Sequence, residues 1–327
     1  MKFLRVAAVV AALMLPLAAC GSSDDSSDGA WTYTDDLGTT ISLDALPKRI
    51  VAQSSVAAAL TDLGLGDRIV GVFGPLQDPD GKPDVQAEGL DQSKVEDLTG
   101  KGEYGDVDVE KMAELKPDLV ITSTYLKPQL WYVNEATEKK IKKAYEIAVI
   151  NFQGRTLPQI FDSTERIATA LGADKASFGE GRDAFKEAGE KLQAAVKAAG
   201  NPTFQAVSPG PETLYVSNPD ANPDLKYYRD VLGLDLVTPK KSQLDEGGYW
   251  RSLSWEKADA YSSDVAIWDA RGGSAALKSL KAQPVWEKTK AAKDDAYVPW
   301  YSVAPPSAAG YARVIDRFTA GLEKLKK

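Results

Sequence analysis

The chain has 327 residues, a formal charge of −8, one cysteine and no histidine. The missing histidine excludes Ser-His-Asp and Cys-His catalytic sites and any histidine-ligated zinc, manganese or iron. The acidic excess argues against binding to nucleic acid or to an anionic membrane surface. A single cysteine leaves no disulfide within the chain, so its stability must come from hydrophobic cores, and the length is sufficient for two domains.

The first 19 residues have the layout of a bacterial signal peptide. Lys2 and Arg5 precede an apolar run over residues 6–15, and two alanines precede Cys20. The run is too short to span a bilayer with proper flanks. The ending Leu-Ala-Ala-Cys resembles the lipobox of exported lipoproteins, in which the cysteine becomes the acylated N-terminus. We therefore predict that Cys20 is a lipid anchor; an ordinary buried cysteine is the alternative.

Residues 20–30 are small, polar and acidic, and such a segment cannot bury enough apolar area to fold. We predict a lipidated flexible tether here. No later segment is long and apolar enough to cross a bilayer. The expected location is therefore the extracytoplasmic face of the cell membrane, with the lipid as the only contact with the membrane.

The first half of the remaining chain alternates short strands with helices. The pattern predicts a hairpin over 31–43, strands over 49–52, 68–72 and 118–122, and helices over 56–63 and 107–115. Strand, helix and strand in short alternation are typical of a parallel α/β lobe.

The second half begins with an amphipathic helix over 157–171, which has Pro158 in its first turn and Gly172 after its end. Further elements are predicted as helices over 177–199 and 308–325 and strands over 204–207, 213–216 and 265–268. We predict an α/β fold of two Rossmann-like lobes, residues 31–155 and 174–327, joined by a single long helix within 156–173.

One internal repeat supports two related lobes. The segment 109–121 aligns without a gap on 255–267, and the alignment pairs Asp118 with Asp264. Each segment reads as a short helix that leads into a buried strand. Chance similarity between two helix–strand units is the alternative, since such units share a pattern.

Five stretches, in this order and spacing, resemble the siderophore- and vitamin B12-type substrate-binding proteins of ABC importers. They are Pro47-Lys-Arg-Ile-Val51, Leu63–Gly71, Val109-Glu-Lys-Met112, Leu115–Ile121 and Val314–Phe318. The resemblance extends from about residue 31 to residue 325. It implies a periplasmic-binding-protein fold with a helical backbone, with the ligand between the lobes where strands end. Within this family, the sequence resembles the ferric hydroxamate-binding proteins most.

The resemblance implies a binding protein rather than an enzyme. We predict capture of a pre-formed Fe³⁺–siderophore complex, of hydroxamate type, and its delivery to the permease subunits of an ABC importer. We expect a monomer without a cofactor of its own. A corrinoid or haem ligand is the alternative within the family. An enzyme using Asp245 and Glu246 is disfavoured because no nucleophile motif accompanies these acids.

A ferric siderophore already surrounds its iron, so the protein needs aromatic walls and hydrogen-bond donors for the iron-bound oxygens. Arginine suits this purpose because its guanidinium can serve two oxygens. In the second lobe Trp250 and Arg251 are assigned to a loop, and Arg271 follows a strand. The ligand-binding candidates of this lobe are Trp250, Arg251, Arg271, Trp300 and Tyr301. Trp268 is assigned either to the cleft or to the core.

In the first lobe Tyr125 ends a strand and is the leading donor. Trp131 lies beside Tyr132 in a predicted helix, as a cleft wall or as core. Tyr104 stands where the resemblance leads us to expect an arginine, and Gln53 follows the first strand. Four other aromatic residues are predicted to pack in the core, namely Trp31, Tyr33, Trp255 and Trp286.

The resemblance also implies that an exposed glutamate of each lobe docks on the permease. The residues in these positions are Glu110 and Glu256, which the internal repeat aligns with each other. The alternative is a solvated glutamate in a first helical turn, which is favourable there because of the helix dipole.

Overall fold

The computed structural model describes residues 29–325, and the predicted signal peptide 1–19 and lipid anchor Cys20 lie outside this range. Of the predicted tether 20–30, only the last two residues are described. No helix within the described residues is long and apolar enough to cross a membrane.

The chain begins with the predicted hairpin. β1 (Trp31–Thr34) and β2 (Thr40–Leu43) pair antiparallel. Because side chains alternate along a strand, Trp31 and Tyr33 share the buried face, and their rings stack with centroids 5.8 Å apart. The predicted core role of both residues is confirmed.

The first lobe is a five-stranded parallel sheet in the order β5-β4-β3-β6-β7. Its strands are β3 (Ile50–Gln53), β4 (Ile69–Phe73), β5 (Glu96–Asp97), β6 (Leu119–Thr124) and β7 (Ile147–Asn151). Its helices are α1 (Ser54–Asp62), α2 (Val109–Leu115) and α3 (Glu135–Ile141). Every residue of β3, β6 and β7 is buried, as expected for parallel strands that are covered on both faces.

Two helices follow the first sheet, α4 (Leu157–Ala170) and α5 (Phe178–Ala198). A capping box defines the start of α4, in which the Thr156 backbone N–H donates to the Gln159 side chain at 3.0 Å. α4 contacts β7 of the first lobe and α6 (Pro223–Asp230) of the second, whereas α5 packs on α9 (Ala308–Lys324) of the second. α4 is therefore the single helix that joins the lobes, while the exact domain limits at 155 and 174 stay a prediction.

The second lobe is a mixed sheet in the order β11-β9-β8-β12-β13, with β10 paired to β8. Its strands are β8 (Thr203–Pro209), β9 (Thr213–Ser217), β10 (Asp235–Leu236), β11 (Trp250–Ser254), β12 (Val265–Asp269) and β13 (Tyr297–Trp300). Its helices are α6 (Pro223–Asp230), α7 (Gly273–Lys281), α8 (Lys290–Lys293) and α9 (Ala308–Lys324). The predicted α/β fold of two lobes is confirmed.

The internal repeat has a structural counterpart. β6 and β12 each lie beside the central strand of their sheet. The Asp118 carboxylate accepts the backbone N–H of Arg49 at 2.8 Å, just before β3, and the Asp264 carboxylate accepts the N–H of Thr203 at 2.9 Å, at the start of β8. The aligned aspartates therefore have the same role in both lobes, which favours a duplicated unit over chance similarity.

Two further predicted core residues lie in the second lobe. Trp286 is fully buried, and its indole N–H donates to the Tyr297 hydroxyl at 3.0 Å. Trp255 is only half-buried at the margin of the hydrophobic cluster that contains Trp286. Its indole N–H donates to the Pro211 carbonyl at 3.3 Å. The prediction is thus confirmed for Trp286 and too strong for Trp255.

Candidate functional site

A cavity of about 960 Å³ lies between the two lobes. Residues 78–93, which connect β4 to β5, form its first-lobe wall, and the ends of β12 and β13 with the start of α7 form its second-lobe wall. Its second-lobe wall includes Trp268, Arg271, Pro299, Tyr301, Val303 and Arg317. The volume suits a sizeable organic ligand, and strand ends are the usual ligand position in open α/β sheets.

Hydrogen bonds between the lobes lie close to this cavity. The Tyr249 hydroxyl donates to the Tyr125 carbonyl at 2.5 Å. The backbone N–H and the hydroxyl of Ser274, at the start of α7, donate to the Asp80 carboxylate at 2.9 and 2.7 Å. Asp80 therefore caps a helix of the opposite lobe.

An ion-pair group also links α9 to the first lobe. Arg313 donates with both terminal nitrogens to the Asp62 carboxylate at 3.1 and 3.0 Å, and Ser307 donates to the same group at 2.5 Å. Arg317 donates to Glu88 at 2.6 Å. These bonds connect the lobes on the α9 side of the cavity.

The first-lobe candidates Tyr104, Tyr125 and Trp131 come together, with Tyr132, in what we call the aromatic cluster. The Trp131 ring centroid lies 4.7 Å from Tyr125, 5.4 Å from Tyr132 and 6.2 Å from Tyr104. Tyr104 is 61% exposed, which is unusual for a large aromatic side chain. Trp131 and Tyr132 lie in a loop, so the predicted helix there is wrong, although their place beside Tyr125 is as expected.

Polar atoms without a partner lie within and beneath this cluster. Among the described residues, the Tyr125 hydroxyl, the Trp131 indole nitrogen and the Ser123 hydroxyl are buried and have no hydrogen-bond partner. Each such group costs about 1–3 kcal/mol. Burial raises the pKa of the Tyr125 hydroxyl strongly and that of Tyr132 to about 12, so both stay protonated. Tyr125 and Trp131 within the cluster, and Ser123 beneath it, are thus three potential hydrogen-bond donors for a ligand rich in acceptor oxygens.

Arg271 supplies the positive charge opposite the aromatic cluster. Its Nε and Nη2 donate to the buried Asp269 carboxylate at 3.0 and 2.6 Å, and Ser302 donates to the same carboxylate at 3.2 Å. Burial alone would lower the pKa of Arg271, but the charge and hydrogen bonds of Asp269 raise it overall. The guanidinium is therefore charged and held in one orientation at the cavity wall.

The candidates Trp250 and Trp300 pack against each other, with ring centroids 6.1 Å apart. Trp300 is only 2% exposed, and its indole N–H donates to the buried Asp224 carboxylate at 2.5 Å. Burial raises the pKa of Asp224 to about 6. Neither Trp300 nor Trp250 is among the residues that line the cavity, contrary to the wall positions expected for both.

Arg251 is placed differently from the sequence-based expectation. Residues 250–254 form the edge strand β11 rather than a loop, so successive side chains point to opposite faces of the sheet. Arg251 donates to Gln243 at 2.9 Å and to the Tyr261 hydroxyl, and its guanidinium lies 5.1 Å from the Tyr261 ring centre. This geometry turns Arg251 away from Trp250 and from the cavity.

The remaining candidates divide in the same way. Tyr301 lines the cavity, with the Arg317 guanidinium 5.9 Å from its ring centre. Gln53 is buried and caps α1, where its side-chain oxygen accepts the N–H of Ser55 at 3.0 Å, so it is not a cavity residue. Trp268, left open between cleft and core, lines the cavity.

No pattern in the sequence predicted that the segment 78–93 would line the cavity. This segment has no hydrophobic periodicity, and its turn residues predicted nothing beyond a connection. Asp84 within it is buried at the cavity wall. No group of three acidic residues among those described is arranged to hold a metal ion.

Glu110 and Glu256 are both exposed. Glu110 lies in the first turn of α2, which Asp108 caps by accepting the Lys111 N–H at 2.9 Å. Glu256 lies in a single 3₁₀ turn, and hydrogen bonds from the Ser254 side chain and its own backbone lower its pKa. Both positions are accessible, and docking on a permease stays a prediction.

A cavity between two α/β lobes joined by one helix is the arrangement of a two-lobed ligand-binding protein. The sequence profile of the family described as "periplasmic binding protein" matches residues 50–298. The chain is similar to DesE, a ferric-siderophore receptor protein from Streptomyces coelicolor whose crystal structure is known. The two sequences are 35% identical, the match covers 90% of this chain and 98% of DesE, and the TM-score is 0.78. The chain belongs to the periplasmic binding protein family.

More distant structures share the fold. FhuD2 from Staphylococcus aureus, solved with bound ferrioxamine B, is 17% identical in sequence. The match covers 85% of this chain and 100% of the FhuD2 chain, with a TM-score of 0.60. The petrobactin-binding protein YclQ from Bacillus subtilis is 16% identical in sequence. The match covers 90% of this chain and 99% of the YclQ chain, with a TM-score of 0.65. No curated protein matches the sequence significantly.

Proposed function

We propose that this protein captures a pre-formed ferric siderophore between its lobes and delivers it to an ABC importer. The observation that carries the proposal is the interlobe cavity of about 960 Å³, with aromatic side chains and a fixed guanidinium beside it. The similarity to DesE, described as a ferric-siderophore receptor, supports the same conclusion.

The siderophore supplies every ligand of the iron, so the protein recognises the outer surface of the complex. Trp268 and Tyr301 form apolar walls for the organic backbone. Arg271 donates to ligand oxygens, and the hydroxyl of Tyr125 and the indole N–H of Trp131 become available as donors when the lobes part. No resident cofactor has a role in this scheme, and a hydroxamate is the proposed class of chelator.

The same proposal covers the location and the partners. Acylation of Cys20 would hold the mature chain at the extracytoplasmic face of the membrane. Glu110 and Glu256, exposed on the two lobes, would meet the two permease subunits, with the binding protein acting as a monomer. Membrane fractionation with mass spectrometry of the N-terminus would test the anchor: the wild type should carry acyl chains on Cys20, whereas Cys20→Ala should keep an intact signal peptide and carry none.

Titration of the mature chain by intrinsic tryptophan fluorescence tests the function. We expect saturable quenching by a ferric tris-hydroxamate at one equivalent, because Trp268 lines the cavity. The metal-free chelator, haem and a corrinoid serve as comparison ligands. Saturable binding of haem or the corrinoid, with none of any ferric siderophore, would overturn the proposal.

A further inference from the structure

The charged side chains around the cavity are not balanced. Five carboxylates line the first-lobe wall, namely Asp78, Asp80, Asp84, Glu88 and Asp91. The lining includes three cations, Lys82, Arg271 and Arg317. Because a cleft with low-dielectric walls focuses the field of its charges, this imbalance acts directly on the charge of a bound ligand.

The cations are already compensated or solvated. Arg271 is paired with the buried Asp269 at 2.6 Å, which itself does not line the cavity. Arg317 is paired with Glu88 at 2.6 Å. Lys82 is exposed to solvent. An anionic ligand would therefore find little uncompensated positive charge.

Asp84 is in the opposite situation. It is 7% exposed and lines the cavity, and its carboxylate accepts the N–H of Gln86 at 2.8 Å. Among the described residues, no lysine or arginine lies within ion-pair distance of it. Burial raises the pKa of Asp84 and the charge of Asp78 adds to this effect, whereas hydrogen bonds from Gln86 and the charge of Arg271 oppose it. Because Arg271 is already paired with Asp269, it compensates the buried Asp84 carboxylate only in part, and a cationic group on the ligand would complete the compensation.

We infer that the cavity selects its ligand by charge: it accepts a neutral or cationic ferric complex, with any amine beside Asp84, and rejects anionic complexes. This inference rests on the proposed function and restricts the class of ferric complexes that the protein binds. Three hydroxamates each lose one proton to Fe³⁺ and give a neutral complex, whereas three catecholates lose six protons and give a trianion. The charge balance thus favours tris-hydroxamates over tris-catecholates, independently of sequence resemblance.

A charge series on one ligand frame tests the inference. A ferric tris-hydroxamate with a terminal amine is compared with its N-acetyl and N-succinyl derivatives. At pH 7 the amine form carries one positive charge, the acetyl form is neutral and the succinyl form carries one negative charge. Affinities for the mature chain are measured by fluorescence quenching. We expect the amine to bind about five- to tenfold more tightly than the acetyl form, and the succinyl form to bind about tenfold more weakly than the acetyl form. A ferric tris-catecholate should show no saturable binding.

Variants locate the effect. Asp84→Asn keeps an oxygen for the Gln86 N–H and should bring the ratio of the affinities for the amine and acetyl forms to about one. Asp183→Asn, an exposed site on α5 outside the cavity, makes the same change in net charge and should alter none of the affinities.

The outcomes separate this inference from the function itself. Equal affinities across the series in the wild type, or an amine preference that survives Asp84→Asn, would overturn charge selection while the protein remains a siderophore binder. Tight binding of the tris-catecholate would do the same. Failure of every ferric complex to bind would refute the proposed function and this inference with it. The wild-type series does not depend on the stability of any variant.

Discussion

Asp224 provides a prediction of how the stability of the fold changes with pH, and both the direction and the size of that change follow from the structure. Its carboxylate is 2% exposed and accepts the Trp300 indole N–H at 2.5 Å. Burial raises its pKa from 3.8 to about 6. The folded protein therefore binds this proton more tightly than the unfolded chain does. The stabilising contribution of the protonated form is complete below pH 3.8 and is lost as the pH rises through about 6.

The size follows from the shift in pKa. One pKa unit corresponds to about 1.4 kcal/mol, so a shift of about two units corresponds to a loss of about 3 kcal/mol between pH 4 and pH 7. Asp224→Asn keeps an acceptor for the Trp300 indole and cannot ionise. We expect the variant to equal the wild type in stability near pH 4 and to become progressively more stable than the wild type towards pH 7.

Urea unfolding at half-unit steps from pH 4 to pH 7.5 measures this difference. Asp183→Asn is the matched control, because its carboxylate is exposed and the same substitution should leave the pH profile unchanged. If the free energies of unfolding of wild type and Asp224→Asn remain parallel across this range, then Asp224 is not the buried carboxylate that the structure describes.

Three further predictions separate stability, ligand binding and docking. Trp286→Ala should lower the free energy of unfolding by about 3–5 kcal/mol in urea titrations and leave binding by the folded fraction intact. Arg271→Ala should weaken ferric siderophore binding about tenfold or more by equilibrium dialysis, whereas Arg251→Ala should not; equal losses would contradict the assigned faces of β11. Charge reversal of Glu110 or Glu256 to Lys should abolish iron uptake by cells without changing affinity in solution, and a parallel loss of affinity would refute docking.

The lobes, their order and the joining helix could be predicted because local patterns determine them. The buried strands are continuous apolar runs, and α4 has its cap, its proline and its terminal Gly172 in sequence. The paired aspartates of the internal repeat were visible for the same reason, since each sits just before a strand at a fixed spacing from its neighbours.

The site could be predicted only in part, because it depends on register and on long connections. Trp250 and Arg251 are adjacent in sequence, and their separation onto opposite faces follows from the pairing of β11 with β9, which no local pattern reveals. Trp131 is placed by a bond from its N–H to the Ser123 carbonyl at 2.8 Å, in a loop that helical spacing imitates. Asp84 belongs to a segment without periodicity, so only the folded chain brings it to the cavity.

The most direct test of the central claim is the position of iron in crystals of the mature protein grown with a ferric tris-hydroxamate. An anomalous difference map recorded at the iron absorption edge should contain one strong peak between the segment 78–93 and the ends of β12 and β13, within reach of Arg271 and Tyr301. A peak on the outer surface of either lobe, or no peak despite saturating complex, would contradict capture between the lobes.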